Sequence, residues 1–329
     1  MTAQRRLIDL SSAPAIFALT AATTVAAIYL LRIVHRSDID GQAGVLFWLA
    51  AIAVWASAWI ATDAMARLRV HSPFATRLLD IAAPTLFGAT LLFLWEIYCV
   101  GYGVPFVLMP PPSAIGAKLV SALPILRDDF QQTFLKSVLT GWALGSLLGF
   151  LVALAADRMP FLRRGLLPLG NFVSAMPIIA IAPIMVMWFG FDWQSKVAVV
   201  VVMTFFPMLV NTVAGLAAAG ALERDLMTTY AASWATRLVK LRLPYALPFI
   251  FNALKINSTL ALIGAIVAEF FGTPIVGMGF RISTEIGRMG LDMVWAEIAL
   301  AAIAGSTFYG LLAFIERRAT FWHPSFRAR

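Results

Sequence analysis

The chain has 329 residues, of which 61% are hydrophobic and 13% charged, and its mean hydropathy is +0.85. A soluble protein of this length could not bury so much apolar surface, whereas runs of about 20 apolar residues cross a bilayer core as helices. The alternation with period two that marks membrane β-barrels does not occur in this sequence. The net charge of +8 does not indicate nucleic acid, because Arg and Lys beside membrane spans are first of all topology signals. Composition therefore predicts an all-α polytopic membrane protein.

The hydrophobic pattern predicts about eight transmembrane helices. If both termini are cytoplasmic, the inner segments carry about twice as many Arg and Lys residues as the outer ones, which is the positive-inside pattern. We therefore predict a multi-pass protein of a bacterial inner membrane, in contact with lipid, with both termini inside. The predicted spans are residues 13–34, 43–62, 80–100, 134–156, 166–189, 196–217, 246–271 and 294–315.

The sequence lacks the usual signs of a catalytic or metal-binding protein. Its one cysteine, Cys99, excludes a disulfide within the chain, and three histidines are too few to suggest a multi-ligand metal site. The motifs H-E-x-x-H, G-x-S-x-G and the P-loop do not occur. We predict a non-catalytic chain without metal or bound cofactor, so that any ATP-driven motor would be a separate polypeptide.

A polar segment from residue 217 to 248 separates two apolar spans and is predicted to be cytoplasmic. Apolar residues recur in it at intervals of four, which predicts one stripe on a single amphipathic helix. Pro244 is expected to end that helix. A cytoplasmic stripe of this kind needs a partner, and a soluble protein that drives transport is the favoured one. The stripe consists of Leu222, Leu226, Tyr230, Trp234 and Leu238.

Three glycines one turn apart, Gly141, Gly145 and Gly149, predict close packing between helices. Packing within one chain is favoured over packing between chains. The motif does not bear on the identity of the transported solute.

Prolines and polar residues at membrane depth suggest a transport pathway. Pro177 and Pro183 predict either a broken helix facing a cavity or a kink satisfied by neighbouring helices, and both interpretations stay open. Lys255 could extend to the inner surface or lie on the pathway. Glu269 is expected near the outer end, where water could reach it, and the glycine-rich residues 272–293 are interpreted as a flexible loop. The predicted pathway residues are Asn171, Ser174, Pro177, Asn211 and Glu269.

Several motifs in this order resemble the membrane permease subunits of binding-protein-dependent ABC importers. They are Met176-Pro177 to Pro183, Trp188-Phe189-Gly190, Leu243-Pro244, and Ala268-Glu269 followed by Gly277-Met278-Gly279. The resemblance covers about residues 85–325 and is closest to the branch that serves nitrate, sulfonates, taurine and precursors of pyrimidine or flavin cofactors. In the cytoplasmic signature of the family, Asp225 stands for a Glu and Ala231 for a Gly, and an Ala there favours a continued helix.

The resemblance implies a type I importer-like core with a cytoplasmic coupling helix. It implies a homodimer with ABC ATPase subunits that bind ATP and Mg²⁺, and a substrate-binding protein that delivers a small organic or anionic solute. Residues 81–329 would form the permease core, residues 1–80 an extension with two extra transmembrane helices, and Gly277 and Gly279 part of an outer loop. The implied ATPase-coupling residues are Leu222, Asp225, Leu226, Tyr230, Ala231, Ser233, Trp234, Arg237, Leu243 and Pro244.

Two other classes of protein compete with this interpretation. An ion-gradient-driven secondary transporter is the main alternative, but such folds often have internal repeats and intramembrane charges, and neither a repeat nor a carboxylate central to a span is evident. A membrane-embedded enzyme is disfavoured because the catalytic motifs are missing.

Overall fold

The computed structural model describes residues 13–36, 43–68, 70, 72–159, 161–162, 164–166, 168, 170, 176–272 and 275–322. Within these residues the chain is helical and contains no strand. The helices named here are α1 (Ala13–Val34), α2 (Val45–Arg67), α3 (Pro73–Gly101), α4 (Pro112–Ser121), α5 (Leu123–Phe130), α6 (Leu139–Arg158), α7 (Ile178–Phe189), α8 (Trp193–Ala217), α9 (Ala221–Thr229), α10 (Trp234–Arg237), α11 (Leu243–Glu269), α12 (Met278–Gly287) and α13 (Leu291–Ala319).

Seven helices in the described part of the chain are long and apolar enough to cross a membrane. This confirms the prediction of a polytopic α-helical membrane protein. The span predicted at 166–189 corresponds in part to α7, a shorter apolar helix of 12 residues. The seven are Pro14–Val34, Val45–Arg67, Phe74–Gly101, Leu123–Arg158, Trp193–Ala217, Trp234–Glu269 and Leu291–Ala319.

The chain forms two compact units, residues 1–118 and 119–329. In the first unit, α1, α2 and α3 pack around a small apolar core that includes Leu30, Val54 and Phe93. The boundary predicted at residue 80 falls inside α3, and the division into an extension and a core stays a prediction.

In the second unit, α6 and α11 both pack along α8. Gly141, Gly145 and Gly149 are buried on α6 and face α8, where a Cβ atom would collide with Val200, with Thr204 and with the Phe205 carbonyl, respectively. Small residues thus allow the close approach of two helix backbones, and the favoured packing within one chain is the one observed.

The second unit has two functional ends, which we name by the course of its central helices. At the near end, α8 ends at Ala217 and α11 begins at Leu243; at the far end, α8 begins at Trp193 and α11 ends at Glu269. Because α8 and α11 pack along each other in opposite directions, residues separated by long stretches of sequence meet at each end.

Two local expectations are wrong. Pro244 does not end a helix, because residues Trp234–Glu269 form one helical path in which Pro244 lies in the first turn of α11. A π-helical turn at Leu238–Arg242 precedes it, and this change of hydrogen-bonding register accommodates a residue that has no N–H. The glycine-rich residues 272–293 are not simply a flexible loop, since they contain α12.

Candidate functional sites at the two ends of the second unit

The polar segment at the near end consists of two short helices joined by a turn. The first helix, α9, ends at Thr229, and the second, α10, begins at Trp234. Ala231 lies between them with a φ of 49°, a conformation that glycine adopts without strain. Ser233 caps α10, because its Oγ accepts a hydrogen bond from the Thr236 N–H at 3.2 Å.

The turn places the two halves of the predicted stripe in different surroundings. Leu222, Leu226 and Tyr230 are exposed over 84%, 55% and 77% of their surface. Trp234, in contrast, packs against a buried cluster that includes Leu238, and the Arg158 guanidinium lies 5.0 Å from its ring centre. The prediction of one continuous stripe is therefore wrong, because the backbone turns at Ala231. Only the first half of the stripe is free to meet a partner.

An ion pair connects this segment to neighbouring helices of the bundle. The Arg242 guanidinium donates two hydrogen bonds to the Asp157 carboxylate, at 2.5 and 2.7 Å, and a third to the Leu216 carbonyl at 2.9 Å. Asp157 is at the end of α6 and Leu216 is at the end of α8. One arginine thus connects α6, α8 and the π-helical turn before α11.

The remaining predicted coupling residues occupy the same end. Asp225 and Arg237 are exposed, and the Arg237 Nε donates to the Ala232 carbonyl at 2.8 Å. Leu243 and Pro244 are half-buried and line an apolar cavity of about 630 Å³ between α6, α8 and α11. The structure therefore places all ten predicted coupling residues in one segment at the near end.

The three predicted pathway residues that the structure describes do not form one cluster. Asn171 and Ser174 lie outside the described residues. Pro177 is exposed and precedes α7. Asn211 lies toward the near end of α8, where its amide donates to the Pro207 carbonyl at 2.8 Å, whereas Glu269 lies at the far end.

Glu269 is buried and does not sit in water, so that expectation is wrong. Its carboxylate accepts hydrogen bonds from the Thr133 hydroxyl at 2.8 Å and from the Gly279 N–H at 2.7 Å. Gly277 has a φ of 137°, and a Cβ atom there would come within 2.8 Å of the Glu269 carboxyl group. The two glycines of the predicted outer loop thus let the backbone at the beginning of α12 approach a buried carboxylate.

A second buried carboxylate at the far end was missed by the sequence analysis. Asp129 is completely buried and accepts from the Gly277 N–H at 2.6 Å and from the Arg281 Nε at 2.9 Å. Arg281 had been interpreted only as a topology signal, without a buried partner. Asp129 lies 152 positions away from it in sequence, so no local pattern could have revealed this contact.

Lys196 connects two turns at the far end. Its ammonium group is buried and donates to the carbonyls of Phe191, at 2.6 Å, and of Gly272. Asp192 is close by, and a hydrogen bond from Gln132 holds the pKa of its carboxyl below the ordinary value. The buried ammonium therefore holds the turn between α7 and α8 against the turn after α11.

Lys255 is paired with an acidic residue of a neighbouring helix. Its ammonium lies 2.5 Å from the Glu316 carboxylate, so that α11 and α13 are joined by an ion pair whose two side chains are largely buried. Pairing of this kind is how a charge at membrane depth is usually accommodated.

Apolar spanning helices, a braced polar segment at one end and a buried polar network at the other describe a multi-pass membrane protein of the transport class. Residues 145–321 match the family model described as the binding-protein-dependent transport system inner membrane component. The chain belongs to this family and is a translocation subunit of an importer. The predicted resemblance is confirmed, and the alternative of a secondary transporter is set aside.

Individual relatives agree with this assignment. The chain is 33% identical to the formylaminopyrimidine transport permease protein ThiX of Halalkalibacterium halodurans, over 71% of this chain and 92% of that protein. It is 32% identical to a probable ABC transporter permease protein of Haemophilus influenzae, over 71% and 95% of the two chains. It is 29% identical to the riboflavin transport system permease protein RibX of Chloroflexus aurantiacus, over 71% and 88%.

Proposed function

We propose that this chain lines the translocation pathway of an ATP-driven importer and is coupled to a separate ATPase through residues 219–244. The observation that carries the proposal is the exposure of Leu222, Leu226 and Tyr230 on a segment whose other half is anchored. Large apolar side chains held outside the bundle are typical of a surface that meets another protein.

The anchoring suggests how force would be transmitted. A partner that displaces α9 would act on Arg242, which is bonded to the ends of both α6 and α8. Because α11 follows directly from the same turn, the three helices would move together as a rigid body. Exposed charges such as Arg224 and Arg237 would set the register of docking.

Membership of the family supports further components of the proposed importer. The ATPase subunits would bind ATP and Mg²⁺ at the cytoplasmic near end, and a substrate-binding protein would deliver the solute at the far end. A second copy of the chain would complete the pathway, and the exposed apolar faces of the spanning helices would contact lipid. The named solutes of ThiX and RibX support a small organic or anionic solute as the transported species.

Reconstitution into liposomes tests the proposed function. The chain, co-expressed with its cognate ATPase and binding protein, is expected to take up solute only when all three proteins and Mg²⁺–ATP are present. A panel containing a formylaminopyrimidine, riboflavin, taurine and bicarbonate would identify the solute. Uptake driven by an ion gradient through the purified chain alone would overturn the proposal.

Cysteine labelling tests the orientation of the two ends. Tyr230 and Ile275 are both well exposed, at the near and the far end respectively, and Cys99 is buried and can be replaced. In a Cys99→Ala background, Tyr230→Cys is expected to react with an impermeant maleimide only in inverted membrane vesicles, and Ile275→Cys only in right-side-out ones. The opposite pattern would place α9 outside the cell and exclude docking to an ATPase.

A further inference from the structure

Asp129 is a buried carboxylate with donors on both of its oxygens. Oδ1 accepts from the Gly277 N–H at 2.6 Å, and Oδ2 accepts from the Arg281 Nε at 2.9 Å. The guanidinium is committed to this ion pair, whose two side chains are 0% and 18% exposed. Asp129 therefore has the surroundings of an ionised group, and it fixes the beginning of α12 against α5.

Glu297 is also buried, but the surroundings of its carboxyl group differ from those of Asp129. It is 0% exposed on α13, and neither of its carboxyl oxygens has a hydrogen-bond partner among the described residues. α13 packs against α5 at this point, where Leu126 and Ala296 share one buried cluster, and the Asp129 carboxyl group is a neighbour of the Glu297 carboxyl group. Two carboxylates without hydrogens can only present lone pairs to each other, which is why the contact produces no hydrogen bond in the ionised state.

The nearby charged groups do not stabilise an ionised Glu297 beside Asp129. The charged or titratable groups that face Glu297 are Asp129 from α5, Arg281 from α12 and Glu269 from α11. Arg281 is already bonded to Asp129, and Glu269 has its own donors in Thr133 and Gly279. An ionised Glu297 would therefore be a buried anion beside another anion, without a donor of its own, and such a group is strongly disfavoured.

A metal ion does not explain the arrangement. In the described part of the chain, no three His, Cys, Asp or Glu side chains are grouped closely enough to hold one. A single proton allows the two carboxyl groups to form a hydrogen bond, because it turns one of them into a donor and leaves the other as the acceptor.

We propose that Glu297 and Asp129 form a proton-binding site, in which protonated Glu297 donates a hydrogen bond to ionised Asp129. The proton joins α13 to α5, while Asp129 holds the beginning of α12 through Gly277 and Arg281. Loss of the proton at high pH places a second negative charge beside Asp129 and weakens this attachment. The far end is therefore most firmly held while the proton is present and loosens as the pH rises.

Infrared spectroscopy of the full-length protein in lipid tests the site directly. The wild type at neutral pH is expected to show the C=O stretch of a buried protonated carboxyl group, and Glu297→Gln to lose it. Glu285→Gln is the matched control, because it removes a carboxylate of α12 that is paired with Arg288, and it is expected to keep the band. Absence of the band from the wild type, which needs no variant, would overturn the proposal.

Two further outcomes keep the test decisive. A band that survives in Glu297→Gln and disappears in Glu269→Gln would assign the proton to Glu269 and contradict the proposal. The melting temperature of the wild type is expected to fall as the pH rises above neutral, and that of Glu297→Gln to fall less, because Gln keeps the donor and cannot ionise. Equal pH dependence of the two proteins would contradict the proposal as well.

Discussion

Arg242 is the residue on which the near end most depends. Among the residues that the structure describes, its guanidinium is the only group shown to bond Asp157, and Asp157 is buried, with its side chain 8% exposed. Replacement of Arg242 by Ala would leave a buried carboxylate without its counter-charge, and we expect the free energy of unfolding to fall by about 3 kcal/mol.

Arg67→Ala is the control for that substitution. Arg67 and Asp63 form an ion pair with side chains 71% and 48% exposed, and the loss of such a pair costs less than about 1 kcal/mol. Denaturant titration of both variants in detergent measures the difference. Equal effects would mean that Arg242 does not brace the near end.

Ala231 is a residue whose conformation the sequence argument did not anticipate. It occupies the place of a signature glycine, and its φ of 49° is one that glycine adopts without strain. We expect Ala231→Gly to stabilise the protein by about 0.5 kcal/mol, because relief of strain slightly exceeds the entropy lost by glycine on folding.

The matched substitution Ala235→Gly lies within α10 and has no strain to relieve. It is expected to destabilise the protein by about 0.5–1 kcal/mol. Thermal unfolding of the two variants provides the comparison. Two substitutions that change stability in the same direction would show that the turn at Ala231 is not a left-handed one.

At the scale of the helices, the contact between α6 and α8 depends on glycine. A Cβ atom at Gly145 would meet the Thr204 hydroxyl and approach the Val201 carbonyl to 2.9 Å. Gly145→Ala is therefore expected to reduce the free energy of unfolding by about 1–3 kcal/mol through overpacking.

Gly88 offers the matched test of this explanation. It lies within α3, and a Cβ atom there would meet nothing within 4 Å. Gly88→Ala is expected to stabilise the protein by about 0.5–1 kcal/mol, since alanine favours a helix. If denaturant titration gave both variants the same sign, steric contact would not be what selects glycine in α6.

The long helices could be predicted from the sequence because each contains a long, mostly apolar segment, and hydropathy alone reports such segments. The division of the polar segment into two helices could not be predicted, because alanine usually continues a helix. The turn at Ala231 is set by its surroundings. The network at the far end was also beyond prediction. Asp129 and Arg281 are 152 positions apart, and only the packing of the helices brings these two side chains together.

At the scale of the whole molecule, the near end of the second unit would receive force from a partner, whereas buried charges hold its far end. At the near end, the exposed residues of α9 and Tyr230 would meet the ATPase, and Arg242 would pass the displacement to three helices. At the far end, Asp129, Glu269 and Lys196 hold the surrounding turns and α12 in place. A rigid-body motion of the helices would then connect ATP-driven closure to the solute pathway.

ATP-dependent uptake by the reconstituted complex carrying Leu222→Asp tests the central claim most directly. Thr228→Asp is the control, since Thr228 is exposed on the other side of α9 from Leu226 and receives the same new charge. We predict that Leu222→Asp abolishes uptake and co-purification of the ATPase, because a charge would replace the most exposed apolar side chain of the docking surface, while Thr228→Asp retains both. Normal uptake by Leu222→Asp with the ATPase still bound would contradict the account.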